Sequence, residues 1–262
     1  MIRRLSSLFL LASLSACSSA GKIHSELRLM TYNMHHGEGL DQRIDLPRIA
    51  AIIDVQKPDL VALQEVDQST RRSQGVDQAS VLAAGAKLQG HFGKSIDFAG
   101  GGYGNAILSS LPCQAVSVHA LPLSGEARSF LYSRVEVPEI GRAHLIATHL
   151  DSDWKSHAGR LKQLKAILDF AATLPSTEAV ILMGDFNATP DAAEIRQMVN
   201  VGWIDATHGL AASFPADAPK ERIDYIFIRP GAFTCRVLDA SVIDEQVASD
   251  HRPVFARIQL SR

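Results

Sequence analysis

Apolar and polar positions follow two different periods along this chain. "LRLMTYN" (27–33) alternates residue by residue and predicts a β-strand. "DLPRIAAIIDVQ" (45–56) spaces its apolar residues three and four apart, with Asp45 at its start and Pro47 in its first turn, which predicts a capped helix. Strand character returns in "DLVALQEV" (59–66), and helical spacing in "DQASVLAAGAKL" (77–88). Four runs then read as strands: "NAILSS" (105–110), "QAVSVHAL" (114–121), "SFLYSRVEV" (129–137) and "AHLIATHL" (143–150). The longest helical pattern is residues 154–174, followed by the strand "AVILMGDFN" (179–187) and a short helix at 191–199. "RIDYIFI" (222–228), "CRVLDASVI" (235–243) and "PVFARIQL" (253–260) complete the strands. Strands dominate without strict strand–helix alternation, which predicts one α/β domain of packed sheets with helices outside.

Polar residues sit at informative places in this pattern. Val180–Met183 predict a strand buried on both faces. Positions i and i+2 of an extended strand point the same way, so Asp185 and Asn187 are expected together on one side and Phe186 on the other. A plain polar turn closed by Pro190 is the alternative. Asn33, Glu65 and His149 also fall at the ends of predicted strands, Asp224 near the start of one, and Asp250 and His251 just before the last. Each alone fits a structural role, such as a satisfied histidine or a turn-capping glutamate. Together they are of types that bind metals or move protons, and predict one site assembled from distant segments.

The first residues belong to no fold. Arg3 and Arg4 precede the apolar run "LFLLASL" (8–14) and then "LSAC" (14–17), a basic, apolar and small-residue order that predicts a secretory signal. The run is too short to span a bilayer as a mature helix. "LSAC" resembles the lipobox of bacterial lipoproteins, which implies lipidation at Cys17 and stable anchoring of the mature chain to a membrane. An ordinary cleaved signal is the alternative. The organisation expected is therefore signal 1–16, a short tether 17–26 and one catalytic domain 27–262, in the bacterial cell envelope. Net charge is −2, without the strongly basic footprint of a dedicated DNA-binding protein. Cys113 and Cys235 lack any paired or zinc-site spacing and are expected as small buried residues rather than a disulfide.

The ordered series N…QE…THL…GDFN…RIDY…SDHRP, with "YGNAILS" (103–109), Arg160 and Gln163, resembles the endonuclease/exonuclease/phosphatase (DNase I-like) superfamily over Leu27–Leu260. The resemblance implies a four-layer α/β sandwich, two mixed β-sheets face to face with helices outside. It implies metal-dependent hydrolysis of a phosphate ester, most often a diester. Asn33 and Glu65 match the metal-binding positions, with Asp250 joining directly or through water, in an all-oxygen setting suited to Mg²⁺ or Mn²⁺. His149 and His251 match the histidines around the scissile phosphate, expected as imidazolium donors. Asp224 is expected to accept a hydrogen bond from His251, Asp185 to hold and deprotonate the attacking water, with a site histidine as the alternative base, and Asn187 to orient that water or hold a phosphate oxygen. Arg128 is expected either to grip phosphate or to form a surface ion pair. Asn105, Arg160 and Gln163 are read as bracing residues. His35 and His36, beside Asn33, are read either as cleft-lining or as solvated loop residues, outside the core assignment. The substrate stays open among nucleic acid, a lipid headgroup as in sphingomyelinases, and inositol phosphates. A non-catalytic surface binding module is the other class of reading, and no obligate protein partner is evident.

Overall fold

The structure is a computed structural model describing residues 24–153 and 155–262. The segment read as a signal, together with Cys17 and the first part of the tether, lies outside the described residues. Strand β1 runs His24–Asn33, so Ser25 and Glu26, read as tether, already pair in a sheet. Helix α1 (Leu46–Gln56) leads to β2 (Leu60–Gln68), and α2 (Gln78–Ala86) to β3 (Gln89–Phe98) and β4 (Gly101–Ser109). Next come β5 (Cys113–Ala120), β6 (Ser129–Val137) and β7 (Gly141–His149). Helix α3 (His157–Thr173) precedes β8 (Ala179–Asp185), and α4 (Ala193–Asn200) precedes β9 (Ile204–Asp205). Strands β10 (Asp224–Arg229), β11 (Thr234–Val242) and β12 (Val254–Ser261) close the chain.

These strands form two six-stranded sheets, ordered β11-β12-β1-β2-β4-β3 and β5-β6-β7-β8-β10-β9. Each is mixed in the same way. One parallel pair joined by a crossover helix, β1-α1-β2 or β7-α3-β8, sits among antiparallel neighbours. Alternation along each strand sorts residues into three cores. Leu27, Leu29, Leu60 and Ala62 of one sheet meet Leu145, Ala147, Ile181 and Met183 of the other. The outer face of the first sheet, with Met30, Tyr32, Val61 and Leu63, is covered by Ile49 and Ile53 of α1 and Leu82 of α2. The outer face of the second, with Ile146, Val180, Leu182 and Phe227, is covered by Leu164 and Ile167 of α3 and Met198 of α4. Central strands are therefore buried on both faces, which is why they read as near-continuous apolar runs. The expected α/β/β/α sandwich is the observed fold.

Local chemistry explains the element starts. The Asp45 side chain accepts from Arg48 N at 3.0 Å and Asp77 from Ser80 N at 3.1 Å, capping α1 and α2. Strand β3 was not expected from the sequence, because "QGHFGKSIDF" carries two glycines and three charged or histidine positions on a half-exposed edge. Cys113 and Cys235 are free and only partly buried, packed at the margin of the central core rather than within it. Asn105 on β4 donates to Ser129 O on β6 at 2.9 Å, linking the sheets in the buried interior. Asn105→Ala is expected to cost about 2 kcal/mol in urea unfolding, because a buried carbonyl loses its donor; a change below a few tenths would remove this bracing role.

Candidate active site

The carboxyl ends of both parallel pairs open on the same edge of the sandwich. Asn33 ends β1 and His149 ends β7, where it pairs in register with Asp185 at the end of β8. Strand β10 runs antiparallel to β8 and begins at Asp224, directly opposite Asp185. Strand β12 runs antiparallel to β1, so the segment before it brings Asp250 and His251 to the same edge. Gly184 makes this convergence possible, since a Cβ there would lie 2.0 Å from Thr148 O of β7. Glu65 is delivered by a β-bulge: β2 slips register against β4 between Leu63 and Val66, and Glu65 takes φ 59°.

Asp185 is the hub. Its Oδ1 accepts from Asn187 N at 2.8 Å, and its Oδ2 accepts from Asn33 Nδ2 at 3.1 Å. The same Oδ2 lies 3.5 Å from His149 Nε2 and 3.7 Å from His251 Nε2. Asn33 Nδ2 also reaches Glu65 Oε1 at 3.2 Å, tying the metal-type carboxylate of one sheet to the hub of the other. Its Oδ1 accepts from His35 N at 3.2 Å. His251 Nδ1 donates to Asp224 Oδ2 at 2.9 Å, as expected, and Ser213 Oγ donates to the same oxygen at 2.6 Å. A cavity of about 180 Å³ is lined by Asn33, Glu65, His149, Asp185, Asn187, Asp250 and His251, with Ser152, Phe214 and Ile223.

Four sequence expectations change here. Strand β8 ends at Asp185, and Asn187 has φ 47°, so a turn rather than strand alternation returns its side chain to the site. Phe186 does point away, packed edge-on against Tyr225 and Phe227. His149 is not an imidazolium. Burial first, then the charges of Arg128 and His251, hold it well below its ordinary 6.5. Arg128 is not a surface ion pair: it is 7 % exposed. Its Nη1 donates to His149 Nδ1 at 3.1 Å and its Nη2 to Ser152 Oγ at 3.3 Å, while Glu126 pairs with it from the rim. Arginine can only donate, so the proton of neutral His149 sits on Nε2, toward Asp185 Oδ2 at 3.5 Å; Asn187 Nδ2, 3.1 Å from the same nitrogen, is itself a donor and offers that proton no acceptor. Finally, the surroundings of Glu65 are not all oxygen, because one ligand atom each of His35, His36 and Glu65 lie within 4.8 Å of one another.

The electrostatics divide the other two titrating groups. Burial, then the charge of Asp224, pushes Asp185 up from 3.8 to about 7, against His251, Asn187 N and Asn33, which favour its charged form. Burial pulls His251 down, but the charge and hydrogen bond of Asp224, with Asp185 and Asp250, raise it to about 10. His251 is thus the charged histidine of the pair. Burial, then Arg72 and His35, lower His36. Bracing follows expectation: Gln163 Oε1 accepts from Asp151 N at 2.9 Å, and Arg160 pairs with Glu194 Oε1 at 3.0 Å while holding the carbonyls of Asp151 and Asp153. Ser152 and Phe214, whose ring packs 4.7 Å from that of His251, were not singled out in the sequence. No motif marked them, since each comes from a loop that only the fold closes over the site.

A model of the endonuclease/exonuclease/phosphatase family matches residues 30–251, from the Asn33 strand through His251. The chain belongs to that family. Members of the family are typically metal-dependent hydrolases acting on phosphoester bonds, nucleases included. The uncharacterized protein YbhP of Escherichia coli K12 is 27 % identical over 253 residues, covering 89 % of this chain and 96 % of its own length. Among solved structures, an endonuclease/exonuclease/phosphatase from Beutenbergia cavernae superposes with a TM-score of 0.76 at 24 % identity, over 90 % of this chain and 72 % of that one. A D. rerio TDP2 complexed with single strand DNA product superposes with a TM-score of 0.71 at 20 % identity, over 89 % and 99 %. At these identities the structural likeness establishes the fold.

The donor set fits the divalent cation that the family uses. Glu65 and Asp250 offer carboxylate oxygens at the cavity wall, and Asn33, on the same wall, donates from Nδ2 to Glu65 Oε1.

Proposed function

We propose that this protein is a divalent-metal-dependent phosphodiesterase that hydrolyses a P–O bond by attack of a water on phosphorus. The observation that carries this reading is the buried Asp185 carboxylate, held by Asn33 and Asn187 and lying within 3.7 Å of both site histidines. A base pushed up to about 7 is matched to proton abstraction near neutral pH. Asp185 takes the proton of the attacking water, and Asn187 orients that water or a phosphate oxygen. His251, charged and fixed by Asp224, donates to a non-bridging or leaving oxygen as negative charge grows there. His149 donates from Nε2 as a neutral group, set in that tautomer by Arg128. Glu65, Asp250 and Asn33 would hold the cation, which when bound polarises the phosphoryl oxygen and stabilises the leaving group.

The test uses the full chain purified in detergent, with bis-p-nitrophenyl phosphate beside p-nitrophenyl phosphate. Metal-dependent diester cleavage, abolished by EDTA, is the expected result. Preference for the monoester would replace the phosphodiesterase reading with a phosphatase. Inactivity on both, with short DNA, RNA and phosphocholine lipid also untouched, would favour the binding module. Arg128→Lys should lower kcat/KM about tenfold, because an ammonium cannot hold His149 Nδ1 and Ser152 Oγ together; unchanged kinetics would leave Arg128 a packing residue. The same proposal places the enzyme at the cell envelope, attached through Cys17. This rests on Arg3, Arg4, the apolar run and "LSAC". Cys17→Ser should move the protein from the membrane fraction to the soluble one.

A further inference from the structure

The turn after β1 brings two adjacent histidines to the metal-type carboxylate. His35, His36 and Glu65 each place a ligand atom within 4.8 Å of the others. The two rings meet edge to face with centroids 4.5 Å apart. His36 is buried, 7 % exposed. Each ring has one nitrogen occupied by an acceptor on Glu38. His35 Nδ1 donates to the Glu38 carbonyl at 3.1 Å, and His36 Nε2 faces the Glu38 carboxylate at 3.4 Å. That leaves Nε2 of His35 and Nδ1 of His36 as the nitrogens with free lone pairs, and His36 Nδ1 is buried with no hydrogen-bond partner among the described residues. A ring whose far N–H is held by a carboxylate or backbone carbonyl is the usual arrangement of a metal-binding histidine.

The backbone is built to keep this turn. His35 and His36 both have φ 43°, an unfavourable conformation for two successive non-glycine residues. Gln78 Nε2 donates to His36 O at 2.6 Å from α2, and Asp45 N donates to Gly37 O at 3.0 Å from the start of α1. A solvated loop has no need of such anchoring.

We propose that His35 and His36 join Glu65 in a mixed nitrogen–oxygen site that selects a transition-metal ion over Mg²⁺. Two imidazoles and a carboxylate suit Co²⁺ or Zn²⁺, whereas Mg²⁺ takes oxygen ligands almost alone. This deepens the metal-dependent reading above, on which it rests through the shared Glu65.

The experiment is metal binding to the full chain in detergent, with Co²⁺ and Mg²⁺ as separate probes, followed by calorimetry and by the visible spectrum of Co²⁺. The parent should bind Co²⁺ about 100-fold more tightly than Mg²⁺, with absorption bands shifted by nitrogen ligation. His35→Gln/His36→Gln should weaken Co²⁺ about 100-fold and return its spectrum toward that of oxygen ligation, with Mg²⁺ binding changed less than about threefold. Glu65→Gln should weaken both ions. The single His36→Gln variant, with melting temperature as the folding control, serves if the double variant does not fold. Loss of both ions in Glu65→Gln with unchanged Co²⁺ binding and spectrum in the histidine variants would overturn the proposal and leave the metal-dependent reading standing. Unchanged binding of both ions in Glu65→Gln would overturn both.

Discussion

Exchanging Asp185 for Asn is expected to lower kcat for a phosphodiester about 10³-fold while leaving cation binding in place. The amide keeps the volume and one of the two accepted hydrogen bonds, from Asn33 Nδ2 or Asn187 N, but it takes no proton from water. The pH profile separates this role from simple positioning. Protonation removes the base, and Asp185 is raised to about 7, so the parent's rate falls on the acid side well above the ordinary carboxylate range. The residual rate of Asp185→Asn lacks that acid limb; a variant that retained it would show that another group titrates. Stability should move the other way. A carboxyl whose folded value is raised binds its proton more tightly when folded, so its contribution is present at low pH and is lost as pH rises from about 4 to about 7. With EDTA present, Asp185→Asn lacks this loss, so its melting temperature gains on the parent's across that window.

The second large effect is at Asp224, which touches no substrate and acts through His251. Asp224→Asn should lower kcat by about 10² to 10⁴-fold, since His251 Nδ1 loses the charged acceptor that sets its tautomer and its charge. KM should change far less. The signature is spectroscopic: His251 stays protonated through neutral pH in the parent, raised to about 10 chiefly by Asp224 against the pull of burial. In Asp224→Asn the ring should titrate near or below 6.5, followed by ring-proton NMR. Combining Asp224→Asn with His251→Gln should cost little more than His251→Gln alone, because the two act as one unit. Additive losses would separate Asp224 from His251. The linkage for stability follows from the raised value: the His251 contribution is full below about 6.5 and disappears as pH rises through about 10.

Much of this site was legible because its chemistry sits at strand ends. Periodicity located β1, β2, β7, β8, β10 and β12, and the residues at their ends needed only to be grouped by type. Packed sheets with helices outside followed from strands with apolar residues on both faces, such as Val180–Met183, which require cover above and below, while the four-layer sandwich was what the family resemblance implied. Asp45 and Pro47 marked the start of α1 for a purely local reason, the unsatisfied N–H groups of a first turn. Edge strand β3 escaped because an edge strand has one solvated side and tolerates glycine and charge.

The four-layer arrangement followed from the family resemblance; what the sequence by itself determined about this protein is the elements, an α/β class of packed sheets with helices outside, and the set of residues delivered to one edge. These rest on side-chain period and residue type, which act over a few positions. Tertiary structure alone decided the states of those residues. Asp185 is poised near 7 and His149 is neutral because burial and charges from four distant segments meet at one point. Asn187 reaches the site through a left-handed turn, and Glu65 through a bulge that exists only against β4. His35 and His36 acquire Glu65 as a neighbour only when β1 and β2 pair. Electrostatic energy depends on distance and desolvation through space, and neither is written in the order of residues along a chain.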